Sequence, residues 1–256
     1  AAIRGMRRAV AMARDQGIGL VGIRHSNNFG TGAFIAAEAV AAGMAGIVMS
    51  NASPAIAPTG GARPVFGTNP VAFGMPGPAG GAPVILDMAT SQAARGKIRL
   101  AAANGEPIPE GWALDAEGRP TTDAAAALAG SMLPLGGAKG YGLSLMVDMM
   151  AGLLTGSGFG GAALPLDHPD RPSDCGHLLI AIDIDRFLAP AAYAAAVAAL
   201  VAATRAAGAP GAVFLPGERS AGYMSGRAGR VPISDAILAR LDTAAADLGI
   251  APLSRQ

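Results

Sequence analysis

The sequence contains the glycine pattern G-x-G-x-x-G twice, once starting at Gly17 and once starting at Gly156. In doubly wound folds of the Rossmann type, this pattern follows a strand and opens a helix. Both copies here instead follow a segment with the apolar spacing of a helix, and the first copy opens a strand. The glycines therefore exclude a Rossmann unit at these positions and leave other α/β arrangements.

The first fifty residues predict two helices that alternate with two short strands. Ile3, Met6 and Val10 lie at helical spacing on one face of an amphipathic segment, which Gly17 ends. A helix between two apolar strands is the basic unit of α/β architecture. The predicted ranges are helix 2–15, strand 18–23, helix 32–42 and strand 46–51.

The rest of the chain continues the alternation, with long loops rich in proline and glycine. A turn is predicted at 115–118, followed by a short helix that Thr122 or Asp123 caps. The other predicted elements are strands at 71–74, 84–87, 178–184 and 212–215, and helices at 124–129, 142–154, 190–207 and 234–248.

Charge and composition exclude several kinds of partner. The net charge is +1, with 19 basic and 18 acidic residues scattered along the chain. This balance removes the basic surface that nucleic acids require. The most apolar long run, residues 187–204, is mainly alanine and contains Pro190, so no membrane span is predicted. A small molecule is the expected partner.

Cys175 is the only cysteine, so an internal disulfide is impossible. Residues 1–14 carry spread arginines and lack the continuous apolar core of a signal peptide. Both features favour a reducing compartment and predict a cytoplasmic protein.

The stretch 83–98, PVILDMATSQAARGKI, is the first candidate site. A strand ends on Asp87, and Thr90, Ser91 and a following helix start could attract an anion, with Lys97 as a nearby cation. An ordinary strand-to-helix connection capped by Thr90 or Ser91 explains the same residues.

Two further polar positions suggest ligand binding. In the loop 24–34, Asn27 and Asn28 precede a helix and can bind a polar ligand edge, although loop capping is the alternative. Lys139 lies near the start of another helix, where a cation opposes the helix dipole, which suggests a bound anion. An ordinary exposed lysine remains the other interpretation.

The loop 167–177 has the composition of a metal site, with His168, Cys175, His177 and three aspartates. Its Cys-x-His spacing has no matching ligand pair elsewhere, and two prolines suit a surface connection. No metal is therefore predicted.

Six segments in order along the chain resemble the malate/L-lactate dehydrogenase family that lacks a Rossmann domain. That family includes ureidoglycolate, sulfolactate and piperideine-2-carboxylate oxidoreductases. The resemblance covers nearly the whole chain and is far more specific than one glycine motif. The segments are HSNNFG, GTNPVAFG, DMATSQAARGK, IPEGWALDAEGRPTTD, GGAKGYGL and LPGER.

The resemblance implies an α/β (α+β) fold, in which a mixed-sheet, non-Rossmann NAD(P)-binding domain accompanies a helical domain. The expected α/β domain comprises residues 1–134 and 176–216, and the mainly helical domain comprises 135–175 and 217–256. It also implies a homodimer that uses NAD or NADP.

Thr68 and the cofactor contacts are carried over by motif. Arg95 and Gly96 are also expected on the substrate side. As catalytic candidates, His25 could replace the family's proton carrier, and Lys97 or Arg95 could replace its carboxylate clamp. Hydride transfer on a hydroxy acid needs a proton carrier and a cation that holds the carboxylate. The expected cofactor contacts are Asn28, Phe29, Asp87, Met88, Ala89, Lys139, Pro216, Gly217 and Glu218.

The resemblance also has departures. Some members have His in place of Asn28, and imine reductases carry Asp in place of Lys97, which favours hydroxy acids here. The family's N-terminal helical segment, with a Ser-His-Gly proton donor and carboxylate-binding arginines, is expected before Ala1. The predicted function is hydride transfer between NAD(P)H and a small 2-keto acid. Cyclic imine acid reduction, ureidoglycolate oxidation and a nucleotide-binding remnant without catalysis remain alternatives.

Overall fold

The computed structural model describes residues 1–166, 168–226, 231 and 233–253. The chain forms two compact units, Ala1–Gly217 and Glu218–Gln256. The second unit contains the helices α7 (Glu218–Ser225) and α8 (Asp235–Asp247) among its described residues. The division into domains expected from the sequence stays a prediction.

The first unit holds a five-stranded sheet, a small three-stranded sheet and the helices around them. Its helices are α1 (Ala2–Gln16), α2 (Gly32–Ala41), α3 (Arg95–Asn104), α4 (Ala124–Ala129), α5 (Ala138–Val147), which continues into a π-helix (Asp148–Leu153), and α6 (Pro190–Ala206). Its strands are β1 (Ile18–Ser26), β2 (Ala45–Ser50), β3 (Val71–Met75), β4 (Val84–Met88), β5 (Ala113–Leu114), β6 (Pro120–Thr121), β7 (Ser131–Met132) and β8 (Cys175–Ile182).

The larger sheet has the order β1-β8-β2-β3-β4, and each of these neighbouring pairs is antiparallel. The α/β class is confirmed, but the expected mixed sheet is wrong for these strands. The segment β1-α2-β2 looks in sequence like a parallel unit. In the fold, β8 lies between β1 and β2 and runs antiparallel to both. A strand more than 120 residues later in the chain therefore separates β1 from β2 and makes this part of the sheet antiparallel.

Helices α1 and α2 pack on the larger sheet through small and aliphatic side chains. Met6, Ile35 and Leu179 are fully buried in this core. A Cβ atom at Gly19 would overlap the backbone carbonyl of Ala9, so this glycine allows α1 to approach β1 closely. Packing thus explains the middle glycine of the first pattern, and Gly17 is the left-handed residue that ends α1.

The smaller sheet, β6-β5-β7, packs with α3 and α4 around a second core. Ile56 and Ile98 are fully buried there. Asp123 caps α4, because its side chain accepts hydrogen bonds from the amides of Ala125 and Ala126 at 2.8 and 3.2 Å. This decides between the two capping residues that the sequence left open.

Several predicted boundaries need correction. The segment 212–215 is not a strand, because Ala212 is bound in a turn to Ala209 and the next residues take no strand conformation. The helix predicted at 142–154 begins at Ala138 and changes to a π-helix at Asp148. The π-helix is only six residues long, so the spacing of apolar residues does not distinguish it from the end of an α-helix. Within the described ranges, no helix is long and apolar enough to cross a membrane.

Candidate active site

A cleft of about 600 Å³ opens beside the ends of β2 and β3 and the start of α3. Its walls combine amide, hydroxyl and guanidinium groups with apolar side chains. The lining residues are Asn27, Asn28, Phe29, Gly30, Ser50, Asn51, Ala52, Ser53, Thr68, Pro70, Arg95, Arg99, Leu164, Pro165, Leu166, Ser173 and Cys175.

Four of the expected cofactor-side and substrate-side residues meet in this cleft: Asn28, Phe29, Thr68 and Arg95. Asn28 closes its own loop, because its side-chain oxygen accepts a hydrogen bond from the Gly30 amide at 2.7 Å. Two cofactor-side and two substrate-side candidates are therefore brought together from parts of the chain that are far apart in sequence.

Asn69 holds the loop that carries Thr68. Its Oδ1 accepts from the Ala52 amide at 3.1 Å, and its Nδ2 donates to the Ser144 carbonyl at 2.9 Å. Asn69 is fully buried and has a φ of 31°, a backbone conformation that residues other than glycine rarely adopt. This strained residue ties the Thr68 loop to α5, and its role was missed in the sequence.

The end of β4 adjoins the loop that contains Asn28 and Phe29. Asp87 Oδ2 accepts a hydrogen bond from the Ala33 amide at 2.8 Å, in the first turn of α2. A carboxylate at this end of a helix is favoured by the free amides and the dipole. Asp87 thus fixes α2 and its preceding loop against the strand that leads to Met88 and Ala89.

Thr90 joins the same strand end to two further loops. Its amide and its hydroxyl donate to the Thr68 carbonyl at 2.9 and 3.0 Å, and its own carbonyl accepts from the Leu135 amide at 2.9 Å. The Leu135 loop leads into α5, where Lys139 is exposed in the first turn. The predicted cap role of Thr90 is wrong, since its hydroxyl bonds another loop and α3 has no side-chain cap.

Pro216 and Gly217 lie along the outer edge of β4. The Pro216 carbonyl accepts a hydrogen bond from the Ile85 amide at 3.1 Å. A Cβ atom on Gly217 would come within 2.9 Å of the Ile85 carbonyl oxygen, so only glycine fits this approach without a shift. Glu218, the last predicted cofactor contact, begins α7 in the other unit.

Asn51 is the centre of a buried polar network behind the cleft. Its Nδ2 donates to the Gly158 carbonyl at 2.6 Å and to Asp148 Oδ1 at 3.3 Å, and its Oδ1 accepts from the Gly176 amide at 2.8 Å. Asp148 also accepts from the Gly160 amide at 2.7 Å. Asn51 was not predicted as a site residue, although a polar residue at the end of an apolar strand was a usable signal.

Ser50 and His177 form a second buried pair behind the cleft wall. Their Oγ and Nδ1 atoms are 2.8 Å apart, and the Ser50 hydroxyl donates to the Asn51 carbonyl at 2.9 Å. Because that hydroxyl has one proton, His177 donates from Nδ1 to Ser50. The Phe29 ring packs edge-on against the imidazole, with centroids 4.8 Å apart. His177 Nε2 has no hydrogen-bond partner among the described residues.

Burial lowers the pKa of His177 to about 4, and the backbone of Asn27 and Gly176 opposes this only in part. At neutral pH the protonated fraction of such a group is on the order of one in a thousand. His177 is therefore a neutral hydrogen-bonding group that positions Ser50 and Phe29.

His25 does not line the cleft. Its Nδ1 is 2.7 Å from Asp174 Oδ1, and its amide donates to Ser157 Oγ at 3.0 Å. Both His25 and Asp174 have positive φ angles, 52° and 56°, where the β1–β8 register shifts. The imidazole is 61% exposed and borders a separate depression with Arg171 and Pro172.

The basic side chains near the start of α3 point to two different places, the cleft and the Trp112 ring. Arg95 and Arg99 line the cleft, whereas the Lys97 ammonium lies 5.9 Å from the centre of the Trp112 ring. That placement is a cation–π contact outside the cleft. Gly96 has open space where a side chain would begin and does not line the cleft.

Comparison with known proteins identifies the family. The sequence profile described as malate/L-lactate dehydrogenase matches residues 1–242. The chain belongs to this family. The resemblance drawn from the six sequence segments is thereby confirmed.

Relatives in the family include both kinds of enzyme expected from the sequence. L-sulfolactate dehydrogenase of Methanothermobacter thermautotrophicus is 42% identical over 97% of the chain and 72% of its own length. The (2R)-3-sulfolactate dehydrogenase (NADP(+)) of Chromohalobacter salexigens is 47% identical over 72% of the chain. A Delta(1)-pyrroline-2-carboxylate/Delta(1)-piperideine-2-carboxylate reductase of Pseudomonas aeruginosa is 43% identical over 73% of the chain. The chain spans about half the length of these last two relatives, 55% and 56%.

The fold of the family is also the fold of this chain. The structure of sulfolactate dehydrogenase from Methanocaldococcus jannaschii superposes with a TM-score of 0.88 at 33% identity. The superposition covers 97% of this chain and 72% of the other. The non-Rossmann α/β class is therefore established by structure as well as by sequence.

The loop 167–177, which resembled a metal site in composition, shows no such cluster. Asp167 lies outside the described residues, and no group of three potential metal ligands occurs in the described part of the chain. Cys175 is buried, and burial followed by the charge of Asp174 raises the pKa of its thiol to about 11. At neutral pH this thiol is therefore protonated and lacks the thiolate that acts as a nucleophile.

Proposed function

We propose that this family member is an NAD(P)-dependent oxidoreductase of small 2-hydroxy acids. In the reaction, the substrate C2–H hydride passes to NAD(P)⁺ and the hydroxyl proton is released, which gives a 2-keto acid, NAD(P)H and H⁺. The bound nicotinamide supplies the hydride acceptor or donor, and the protein supplies binding, orientation and charge. The relatives named for sulfolactate oxidation support this choice.

The observation that supports the proposal is that residues from several family motifs lie close together near β4. Asn28 and Phe29 line the same cleft as Thr68 and Arg95, and Asp87 bonds the first turn of the helix that follows Asn28. Family motifs from distant parts of the sequence thus meet at one concave surface.

The residues present fit an extended nicotinamide cofactor held by loops. Gly217 lies directly on the backbone of Ile85, so this edge offers backbone rather than side chain to a ligand. Lys139 is exposed in the first turn of α5, where a phosphate would offset its unfavourable position. Asp87, Met88 and Ala89 follow Ile85 in sequence and lead to Thr90, whose carbonyl accepts from the Leu135 amide.

Arg95 is the proposed clamp for the substrate carboxylate. It lines the cleft with Thr68, and its Nη1 donates to the Pro54 carbonyl at 3.2 Å, which fixes the guanidinium. A fixed guanidinium can hold a carboxylate through two parallel hydrogen bonds. Orientation of this kind contributes to rate by reducing the entropy lost on reaching the transition state.

The proton carrier is proposed to lie outside the described cleft. Neither histidine nor lysine occurs among the residues that line it, and His177 stays neutral behind the wall. By family resemblance, a Ser-His-Gly motif would supply the donor. A general acid at this point is worth roughly 10²–10⁴ in rate.

Substrate profiling of the full-length protein tests the proposal. NADH and NADPH oxidation would be followed with pyruvate, oxaloacetate and sulfopyruvate, and with cyclic imine acids as the second panel. Turnover of keto acids supports the proposal. Turnover of imine acids alone would identify the reductase alternative, which the Pseudomonas relative favours. Calorimetric NADH binding without turnover on any substrate would favour a nucleotide-binding remnant.

We infer a cytoplasmic homodimer as the working form. Leu143, Met146, Met149 and Leu153 are each between 37% and 49% exposed along α5 and the π-helix. Their spacing forms one apolar stripe, which a second copy of the chain would cover. The single buried thiol of Cys175 needs no oxidising compartment. Light scattering coupled to size-exclusion chromatography tests the dimer, and cell fractionation tests the location.

A further inference from the structure

Three residues other than glycine have a positive φ in the described part of the chain, and two of these three contact each other. They are His25 and Asp174, and the imidazole donates from Nδ1 to the carboxylate Oδ1 at 2.7 Å. The third is Asn69, which holds the Thr68 loop of the cleft. The left-handed region is unfavourable for residues that have a side chain, so the chain adopts it here at a cost in free energy.

The contact between His25 and Asp174 does not offset this cost. The two side chains are 61% and 37% exposed. An exposed pair contributes little to the free energy of unfolding, and less than left-handed backbone at two residues costs. Strained residues that persist in a fold are found preferentially where ligands bind. A role other than stability is therefore expected for the contact.

The backbones of both residues are bonded to one short segment, residues 157–158. The His25 amide donates to the buried Ser157 Oγ at 3.0 Å. The Gly158 amide donates to the Asp174 carbonyl at 3.0 Å. Backbone and side-chain bonds thus connect the end of β1, the start of β8 and this segment, and they hold both left-handed residues in place.

Residues next to this pair line the cleft. Asn27 and Asn28 follow His25 within three positions, and both line it. Ser173 directly precedes Asp174 and lines it too. A second contact joins the two sides, because the Ser173 amide donates to Asn27 Oδ1 at 3.3 Å. The His25–Asp174 contact therefore links two segments that contribute to the cleft, although neither residue lines the cleft itself.

We propose that His25 and Asp174 are positioning residues for the nicotinamide cofactor. Their hydrogen bond holds the segment that carries Asn28 and Phe29, the expected cofactor contacts, in the conformation that binds NAD(P). In this role neither His25 nor Asp174 touches the cofactor or the reacting atoms. The inference rests on the proposed function and names the contact that keeps its binding conformation populated.

The expected effect follows from the fraction of molecules in the binding conformation, because the apparent Kd rises as that fraction falls. Loss of one hydrogen bond lowers such a fraction roughly 3- to 10-fold, so Kd for NADH and NADPH should rise by the same factor in His25→Gly. Glycine adopts a positive φ without strain, so the midpoint of urea unfolding should change little. At saturation kcat should change by less than about threefold, because the lost interaction affects binding alone.

The test compares full-length wild type, His25→Gly, Asp174→Gly and the double variant by titration of NADH and NADPH fluorescence. His25→Asn is the rescue variant. Asparagine tolerates the left-handed region and carries a side-chain N–H as many bonds from the backbone as Nδ1, so it keeps the bond and a Kd near that of wild type. Arg7→Gln is the matched control, because it breaks the exposed ion pair with Glu38, and neither partner lines the cleft.

A higher Kd in both glycine variants, with no further rise in the double variant, supports the inference, since residues that act through one contact are not additive. Recovery in His25→Asn also supports it. Unchanged Kd values, additive rises, a Kd in His25→Asn as high as in His25→Gly, or an equal rise in Arg7→Gln would overturn it.

The titrations separate this inference from the proposed function, because they need no turnover. A wild type that binds NADH but reduces no keto acid rejects the proposed function, and the variants still decide the role of the pair. A wild type that turns over keto acids, with Kd unchanged in His25→Gly, leaves the proposed function standing and overturns the inference.

Discussion

His177 Nδ1 lies 2.8 Å from Ser50 Oγ, and this contact joins the interior strand β8 to the wall of the cleft. The imidazole is 1% exposed and packs against Phe29, another lining residue. One buried histidine therefore supports two cleft residues from behind. Its neutral form matters, because a charged imidazole at this place would have no counter-charge nearby in the described structure.

This burial predicts a loss of stability in acid. The folded-state pKa of His177 is about 4, below the ordinary value of 6.5, so the unfolded chain binds the proton more readily. Its contribution is complete above the unfolded-state value and falls as pH drops toward 4. Between pH 7 and pH 5 the loss is about 2 kcal/mol. Urea unfolding at both pH values would measure it.

The control for this prediction is His177→Gln, which keeps a polar group beside Ser50. Other titrating groups are unchanged, so the difference in pH dependence between the two proteins isolates the histidine. If the variant loses as much stability on acidification as the wild type, His177 is not the cause.

Asn51→Ala should be among the most destabilising polar substitutions in the cleft wall. It leaves the Gly158 carbonyl and the Gly176 amide without their bonds to Asn51 and removes one contact of buried Asp148. Unpaired buried groups cost about 1–3 kcal/mol each, and local relaxation recovers part of the sum. We expect a loss of about 3 kcal/mol in the free energy of unfolding. Asn27→Ala, at an exposed lining residue, is the control and should change it by less than about 1 kcal/mol.

Asp87→Ala tests whether a residue on one strand caps a helix elsewhere. The Asp87 carboxylate accepts from the Ala33 amide, whereas Thr31 at the α2 N-cap makes no side-chain capping bond. Loss of such a cap costs about 1 kcal/mol. Asp87→Asn keeps an acceptor and should lose less. Equal midpoints of thermal unfolding for wild type and the alanine variant would contradict this role.

The local signals in the sequence predicted most elements of the fold. Helix α1 and strand β1 follow from apolar spacing and from Gly17, and α4 matches its predicted range because Asp123 supplies a local cap. The sheet order did not follow, since the insertion of β8 between β1 and β2 depends on contacts between residues far apart in the chain. The contact of Pro216 with Ile85 at the edge of β4 was missed for the same reason.

Site residues that belong to a family motif could be predicted from the sequence. Side-chain directions that depend on packing could not. Asn28, Phe29, Thr68 and Arg95 belong to segments with family resemblance, and they meet in the cleft. Arg99 was available from its helical spacing to Arg95 but was not considered. Lys97, equally close in sequence, points to Trp112 instead, and no one-dimensional pattern distinguishes these two directions.

Lys139→Ala should weaken cofactor binding more than folding. Lys139 is exposed at the start of α5, where a cation gains nothing from the helix, and it has no ion pair among the described residues. Removal of one charge-assisted bond to a phosphate raises Kd roughly 10- to 100-fold. Titration of NADH and NADPH fluorescence would measure this, with Lys97→Ala as the matched control. An early-melting variant that binds both cofactors normally would reverse the assignment.

His25→Gln tests where the proton is carried. The His25 imidazole borders a depression with Asp174 and does not line the cleft, so its removal should change kcat by less than about threefold, whereas a residue that carries the proton is worth roughly 10²–10⁴. Asp174→Asn is the companion variant, because it keeps a side chain of the same size but removes the carboxylate that orients Nδ1. Rates would be measured across pH on the full-length protein with its preferred keto acid. A drop of two orders of magnitude in His25→Gln, with a smaller drop in Asp174→Asn and a shifted pH profile, would assign the proton to this pair. It would also mean that the substrate reaches the separate depression beside Arg171, and the clamp role of Arg95 would then have to be given up.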